Sequence, residues 1–275
     1  MSDQHDLWEG VANGWERRRA FVWGVSHEVG ERLVDALDPQ PGETILELAC
    51  GPGDTGFTAA ARLGPAGRLI STDFATEMVG AAKRRAQELG LVNVEHRVMD
   101  AQAIDLPDAS VDGVLCRWGY MLMPDPARAL AETWRVLRPG GRLSFSIWAD
   151  ARANPWGSAI ARAATELGFI GPPEPDAPGP FRLGDADRVR ALVTEAGFEP
   201  AEVTDVPVTW RYADFAEYWS VSRDLSSSLN ALLLRLTAAE FAQAQERVDA
   251  MLAPYVTAAG LEIPGLTRNI LTRRD

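Results

Sequence analysis

Up to Trp148, short apolar runs alternate with longer amphipathic stretches, and each run ends in a polar or glycine-rich turn. Thr44 to Leu48 runs into Ala49-Cys50-Gly51-Pro52-Gly53, and Arg68 to Thr72 into Asp73-Phe74. Val94 to Val98 ends at Met99-Asp100-Ala101, and Val111 to Cys116 at Arg117-Trp118. A fifth strand opens after Leu137-Arg138-Pro139-Gly140-Gly141 and continues through Trp148. Runs this short, separated by stretches with apolar residues at helical spacing, predict strands alternating with helices. Such alternation implies a parallel sheet with right-handed crossovers and helices on both faces.

The flanking segments read differently. Residues 6–38 predict helices with Trp8, Val11, Trp15, Phe21 and Val25, then Val29, Leu33, Val34 and Leu37, on apolar faces, stopped at Asp38-Pro39-Gln40-Pro41-Gly42. Beyond Trp148 the pattern predicts a helix over 154–168, a helix over 185–196, a strand over 199–210 and a last strand over 266–272. Between them, 171–180 is a Pro/Gly segment that suits a surface connection or a rim over a substrate mouth. Residues 213–260 form an insertion with helical patterns around Phe215-Tyr218-Trp219, Leu232 to Leu236 and Phe241 to Leu252.

Composition narrows the function. The 275 residues carry a formal net charge of −12, which argues against a broad nucleic-acid surface built on Lys/Arg contacts to phosphates. Lys83 is the single lysine, in a charged stretch that reads as exposed, which disfavours Schiff-base chemistry. Cys50 and Cys116 are too few for a disulfide framework or a metal site. No apolar stretch is long enough to span a bilayer, and the N-terminus lacks the basic and apolar regions of a signal peptide, so a cytoplasmic protein is expected.

Gly51, Gly53 and Gly56 fit G-x-G-x-x-G between a strand and a helix, a cradle for a nucleotide-like ligand. Asp73 suits two ribose hydroxyls; its bland alternative is an N-cap for a helix starting near Thr76. Glu47 is a charge inside an apolar strand, costly unless paired. With Asp100-Ala101 and the Arg-Pro-Gly-Gly turn, the series resembles the class I S-adenosylmethionine (SAM) dependent methyltransferases. The resemblance covers nearly the whole chain, is tightest from Thr44 to Trp148, and inclines toward the small-molecule branch that includes the quinone-ring C-methyltransferases.

That resemblance implies a Rossmann-like, mostly parallel seven-stranded sheet with an antiparallel last strand and a helical cap. Residues 1–42 would form part of the cap, 43–212 the SAM-binding core, 213–262 the rest of the cap and 263–275 the last core strand. It implies donor contacts from Glu47, Ala49, Gly51, Gly53, Asp73, Phe74, Met78, Asp100, Ala101 and Arg117, with Asp100 and the Ala101 amide on the adenine. Trp15 and Trp118 are candidates to face the sulfonium cation. Arg117, Tyr120 and His27 are the candidates near the reacting groups, none a convincing general base, and no metal is expected. A small-molecule acceptor is expected. A nicotinamide oxidoreductase is the competing enzyme reading, and a non-catalytic SAM-binding protein the third.

Overall fold

The computed structural model describes residues 2–172, 174 and 176–275. Two helices, α1 (Ser2–Arg17) and α2 (Arg19–Leu37), precede the sheet. The core then runs β1 (Thr44–Glu47), α3 (Asp54–Leu63), β2 (Arg68–Asp73), α4 (Thr76–Glu88), β3 (Val94–Val98), β4 (Val111–Arg117), α5 (Pro126–Val136) and β5 (Leu137–Trp148). There follow α6 (Pro155–Glu166), α7 (Ala186–Glu195) and β6 (Glu202–Tyr212). The insertion comprises α8 (Phe215–Leu225), α9 (Ser227–Leu233), α10 (Ala238–Leu252) and a two-residue strand, β7 (Val256–Thr257), before β8 (Gly260–Arg273).

The strand order is β3-β2-β1-β4-β5-β8-β6, with β7 paired to β8. Neighbours from β3 through β5 are parallel, and β8 lies antiparallel between β5 and β6. The expected seven strands form the main path, and β7 is an eighth that periodicity did not reveal. Three boundaries also differ. β5 begins at Leu137, so Arg138-Pro139-Gly140-Gly141 forms an irregularity within the strand and not a turn before it. β6 begins at Glu202, and β8 is 14 residues long from Gly260, ahead of the expected 263–266. The reason is pairing: Tyr212 sits opposite Leu261 at the far end of a long antiparallel ladder, so residues without clean alternation still become strand.

The chain reverses direction across the sheet between β1 and β4, and the ends of these strands form the crevice where doubly wound sheets bind ligands. Leu33, Leu37, Phe57, Leu63 and Ala82 of α2, α3 and α4 pack with Ile45, Leu69 and Leu115 on one face. Leu130, Val189 and Val193 of α5 and α7 join Leu46, Val114, Phe145 and Ile147 on the other. Among the described residues no helix is long and apolar enough to cross a membrane.

Candidate functional site

β1 delivers Glu47 to the α3 side of the sheet, where it is buried. Its carboxylate accepts from the Gly56 amide at 2.7 Å and the Ser71 hydroxyl at 2.9 Å. A Cβ on Gly56 would lie 2.1 Å from that carboxylate, so the third glycine of the motif exists to admit Glu47. Burial pushes the Glu47 pKa up to about 8, against the pull of its two hydrogen bonds and of Arg117. The turn above it winds through positive φ at Ala49 (51°), Gly51 (51°) and Gly53 (92°). A Cβ on Gly53 would strike the Phe57 ring, whereas one on Gly51 would meet nothing within 4 Å. Gly51 is therefore the open side of the cradle, where a ligand can approach backbone closely.

Asp73, at the end of β2, accepts from Gly51 N–H at 3.0 Å and Ala75 N–H at 3.1 Å. It does not cap α4; the Thr76 and Glu77 amides are taken by Glu9 of α1, at 2.6 and 3.1 Å. Burial raises the Asp73 pKa to about 6, while those amides hold it down. Each of its oxygens keeps a second lone pair for a ligand hydroxyl. Phe74 is half-buried with the His5 ring against its edge, and Met78 is buried in a cluster with Ala12 and Ala75, beside Trp8 and Trp15. On the adjacent strand end, Asp100 is half-buried and accepts from the Gln102 amide, and Ala101 is buried.

The structure separates the candidates beyond β4. Arg117 stays in the crevice: its Nε donates to Thr55 Oγ1 at 2.8 Å and its guanidinium lies over the Trp118 ring, 4.7 Å from the centroid. Trp118, at φ 59°, stacks on Trp148 with centroids 4.1 Å apart. With Arg117 over the ring and Trp148 stacked on it, Trp118 is packed rather than presented to a sulfonium. Tyr120 points the wrong way for catalysis. It is fully buried, its hydroxyl pairs with Thr133 Oγ1 at 2.7 Å, and its ring meets Phe145 edge-on. His27 is exposed on the outer side of α2, with Nδ1 beside the Gly24 carbonyl and its ring by Trp23, so it does not reach the cleft. Trp15 is committed to α1's own attachment, donating to the Leu225 carbonyl at 3.2 Å.

An aromatic wall continues from Trp118 across the sheet. Trp148 contacts Trp156, Trp156 stacks on Trp210 at 4.4 Å, and Phe21 of α2 packs against Trp210 and Tyr212. Tyr218 and Trp219 of α8 extend it into the insertion. Over this end of the sheet α1 bridges core and insertion: Arg17 and Arg18 both pair with Asp224 at 2.7 Å, and Glu16 pairs with Arg84. A Cβ on Gly14 would lie 2.0 Å from the Asp224 carbonyl oxygen, so α1 rests directly on the end of α8. In the segment 171–180, Pro173 and Pro175 lie outside the described residues; at its far end the Gly179 N–H donates to Met121 O. Glu9, Asp224, Trp148 and Trp210 are the residues sequence reasoning missed. Glu9 and Asp224 act on partners 67 and more than 200 positions away, a distance at which no local pattern signals them.

Residues 45–141 match the family described as a methyltransferase domain. An arsenite methyltransferase of Halobacterium salinarum is 30% identical over 191 residues, 69% of this chain and 45% of that protein. An aklanonic acid methyltransferase of a Streptomyces is 37% identical over 43% of this chain and 54% of its own length. The chain thus spans about half the length of these curated relatives. The solved structure of YcgJ from Bacillus subtilis shares the fold, with a TM-score of 0.60 and 18% identity over 90% of this chain and 98% of that one.

Proposed function

We propose that this chain, whose core is a methyltransferase domain of the class I SAM-dependent type, transfers a methyl group from SAM to a small-molecule acceptor. The observation that carries the proposal is the hydrogen bond joining the Gly51 amide to Asp73, which sets an open glycine turn beside a buried carboxylate at the mouth of the sheet. The residues present fit SAM. Gly51 and Gly53 give backbone access, Asp73 retains acceptor capacity for two ribose hydroxyls, and Asp100 with the Ala101 amide offers an acceptor and a donor to the adenine edge. Phe74 supplies an apolar flank. Glu47 acts one step removed, by holding the Gly56 amide and so the start of α3 behind the loop.

When bound, SAM would supply an activated methyl on a sulfonium, and in-line attack of an acceptor atom on that methyl would break its bond to sulfur and release the neutral thioether SAH. The chain's part is to hold the acceptor on that line and keep the site dry. Alignment alone supplies about 7–11 kcal/mol of such a barrier. With Tyr120 and His27 both turned away from the crevice, positioning is the catalytic device these residues favour. Trp118, Trp148 and Trp210 form a buried aromatic cluster beside the crevice, which favours a partly apolar small-molecule acceptor, and α1 resting on α8 is placed as the lid. Arsenite is disfavoured as the acceptor here: Cys50 and Cys116 are both buried, and burial pushes the Cys116 thiol up to about 12 and Cys50 higher than usual, so neither offers a reactive thiolate.

Titration calorimetry with SAM, S-adenosylhomocysteine (SAH) and NADH tests the donor. Binding of SAM and SAH without NADH is expected; tight NADH binding with silent SAM refutes the reading in favour of an oxidoreductase. A product-mass screen with labelled SAM over quinones, phenols and amines then identifies the acceptor.

A further inference from the structure

The insertion carries a groove of its own, between α8 and α10. Residues four apart place Phe215, Trp219 and Arg223 on one face of α8, and Phe241, Gln245 and Asp249 on the facing side of α10. They line a cavity of about 640 Å³, within the range of small-molecule sites, on elements other than those that carry Gly51 and Asp73. Its wall is aromatic: Trp219 meets Phe241 edge-on, with ring centroids 5.4 Å apart.

Two polar atoms in that wall are unanswered. Trp219 is 6% exposed and its Nε1 is buried with no hydrogen-bond partner; Asp249 Oδ1, also buried, has none either. Burial raises the Asp249 pKa, and the nearby Trp219 N–H offsets only part of that, because the two groups approach without closing a hydrogen bond. Buried polar atoms are normally paired, so two orphans on one cavity wall mark where a bound group would complete them.

The unpaired charges say what kind of group. Among the described residues neither Asp249 nor Arg223 enters an ion pair, because the obvious partners are taken. Arg247, the cation nearest Asp249 in sequence, is held by Glu166 at 2.6 Å, and Asp224, next to Arg223, is shared by Arg17 and Arg18 at 2.7 Å. The Arg223 guanidinium lies instead over the Phe241 ring, 5.0 Å from its centroid. Phe241 and Asp249 stand about two turns apart on α10, about 12 Å. The groove thus offers a cation at one end, a carboxylate at the other and aromatic faces between. A plain amine would meet the like charge of Arg223, and a plain acid that of Asp249; a molecule bearing both charges avoids both repulsions.

We propose that this groove binds a small aromatic zwitterion. Its ammonium pairs with Asp249, its carboxylate with Arg223, and its ring packs against Trp219 and Phe241. The Asp249 carboxylate has lone pairs enough for the Trp219 N–H and the ammonium together. A para-substituted benzene ring, with hydrogen-bond reach at either end, spans the distance between the two charges.

The test is calorimetry on the full chain with three probes: 4-(aminomethyl)benzoate, benzylamine, which lacks the carboxylate, and 4-methylbenzoate, which lacks the amine. Wild type should bind the zwitterion about tenfold or more tightly than either single-ended probe. Arg223→Gln should erase the preference over benzylamine alone, and Asp249→Asn the preference over 4-methylbenzoate alone. Saturation with SAH should change none of these ratios. The proposal is overturned if either single-ended probe binds wild type as tightly as the zwitterion, since the charge at the other end then takes no part. It is equally overturned if the two variants shift all three probes alike, which would leave only apolar contact, or if SAH displaces the zwitterion, which would place that probe in the donor crevice. Should either variant melt early, the wild-type comparison of the three probes decides by itself, and it is read without SAH, independently of the methyl-transfer reading.

Discussion

The buried Glu47 makes a prediction about how stability changes with pH, one that Asp73, raised only to about 6, shares at lower pH. The Glu47 carboxyl accepts two hydrogen bonds from within the fold and carries a pKa of about 8, against an ordinary value of 4.5. Between those values the folded, unliganded protein holds one proton more than the unfolded chain. Stability from this group is therefore complete below pH 4.5 and is lost as pH rises through about 8. The slope is about 1.4 kcal/mol per pH unit. From pH 5.5 to 7.5 that is about 3 kcal/mol, or roughly 5–10 °C in melting temperature for a chain of this size. Glu47→Gln mimics the protonated form: its oxygen still accepts from Gly56 N–H and its amide donates to Ser71. Calorimetric melts of the unliganded protein across this range should show a wild-type stability that falls relative to Glu47→Gln as pH rises. Parallel curves for the two proteins would refute the assignment of a protonated, buried Glu47.

Asp73→Ala should weaken SAH binding by about tenfold or more by calorimetry, since a charged acceptor of two hydroxyls contributes about 1.5–3 kcal/mol; unchanged affinity with a lowered melting temperature would make Asp73 purely a loop brace. Gly56→Ala should cost about 1–3 kcal/mol in urea unfolding, because the new methyl displaces the Glu47 carboxylate that a Cβ would approach to 2.1 Å. Wild-type stability in that variant would show that the glycine is a turn residue only. Asp224→Ala removes the shared anchor of Arg17 and Arg18, so limited proteolysis should cut within residues 2–17 several-fold faster while the melting temperature falls by about 2–4 °C at most. Equal cleavage rates would mean that the Gly14–Asp224 packing alone keeps α1 seated.

The sequence by itself determined the parts of this protein that local chemistry specifies. Apolar runs of strand length between amphipathic helices dictate a parallel sheet, because nothing else buries both patterns at once. A turn rich in glycine at Gly51 and Gly53 marks where backbone must pass through positive φ and stand open to a ligand. Acids placed at strand ends, Asp73 and Asp100, follow from the same register. Glu47 was legible as a charge in need of a partner, but its partners, Gly56 and Ser71, come from two different elements. Tertiary structure alone decided the rest. It turned Tyr120 into the core and His27 out to solvent, because the side on which a residue projects depends on how its element docks. It gave α4 a cap, Glu9, that belongs to another helix, and latched α1 to the insertion through Asp224. It gathered Trp118 from the turn after β4 and Trp148, Trp156 and Trp210 from β5, α6 and β6 into one wall, with the Arg117 guanidinium over the Trp118 ring. Each of these depends on contacts between residues far apart in the chain, where pairing is set by the global packing of the sheet and not by any pattern a local stretch of sequence can carry.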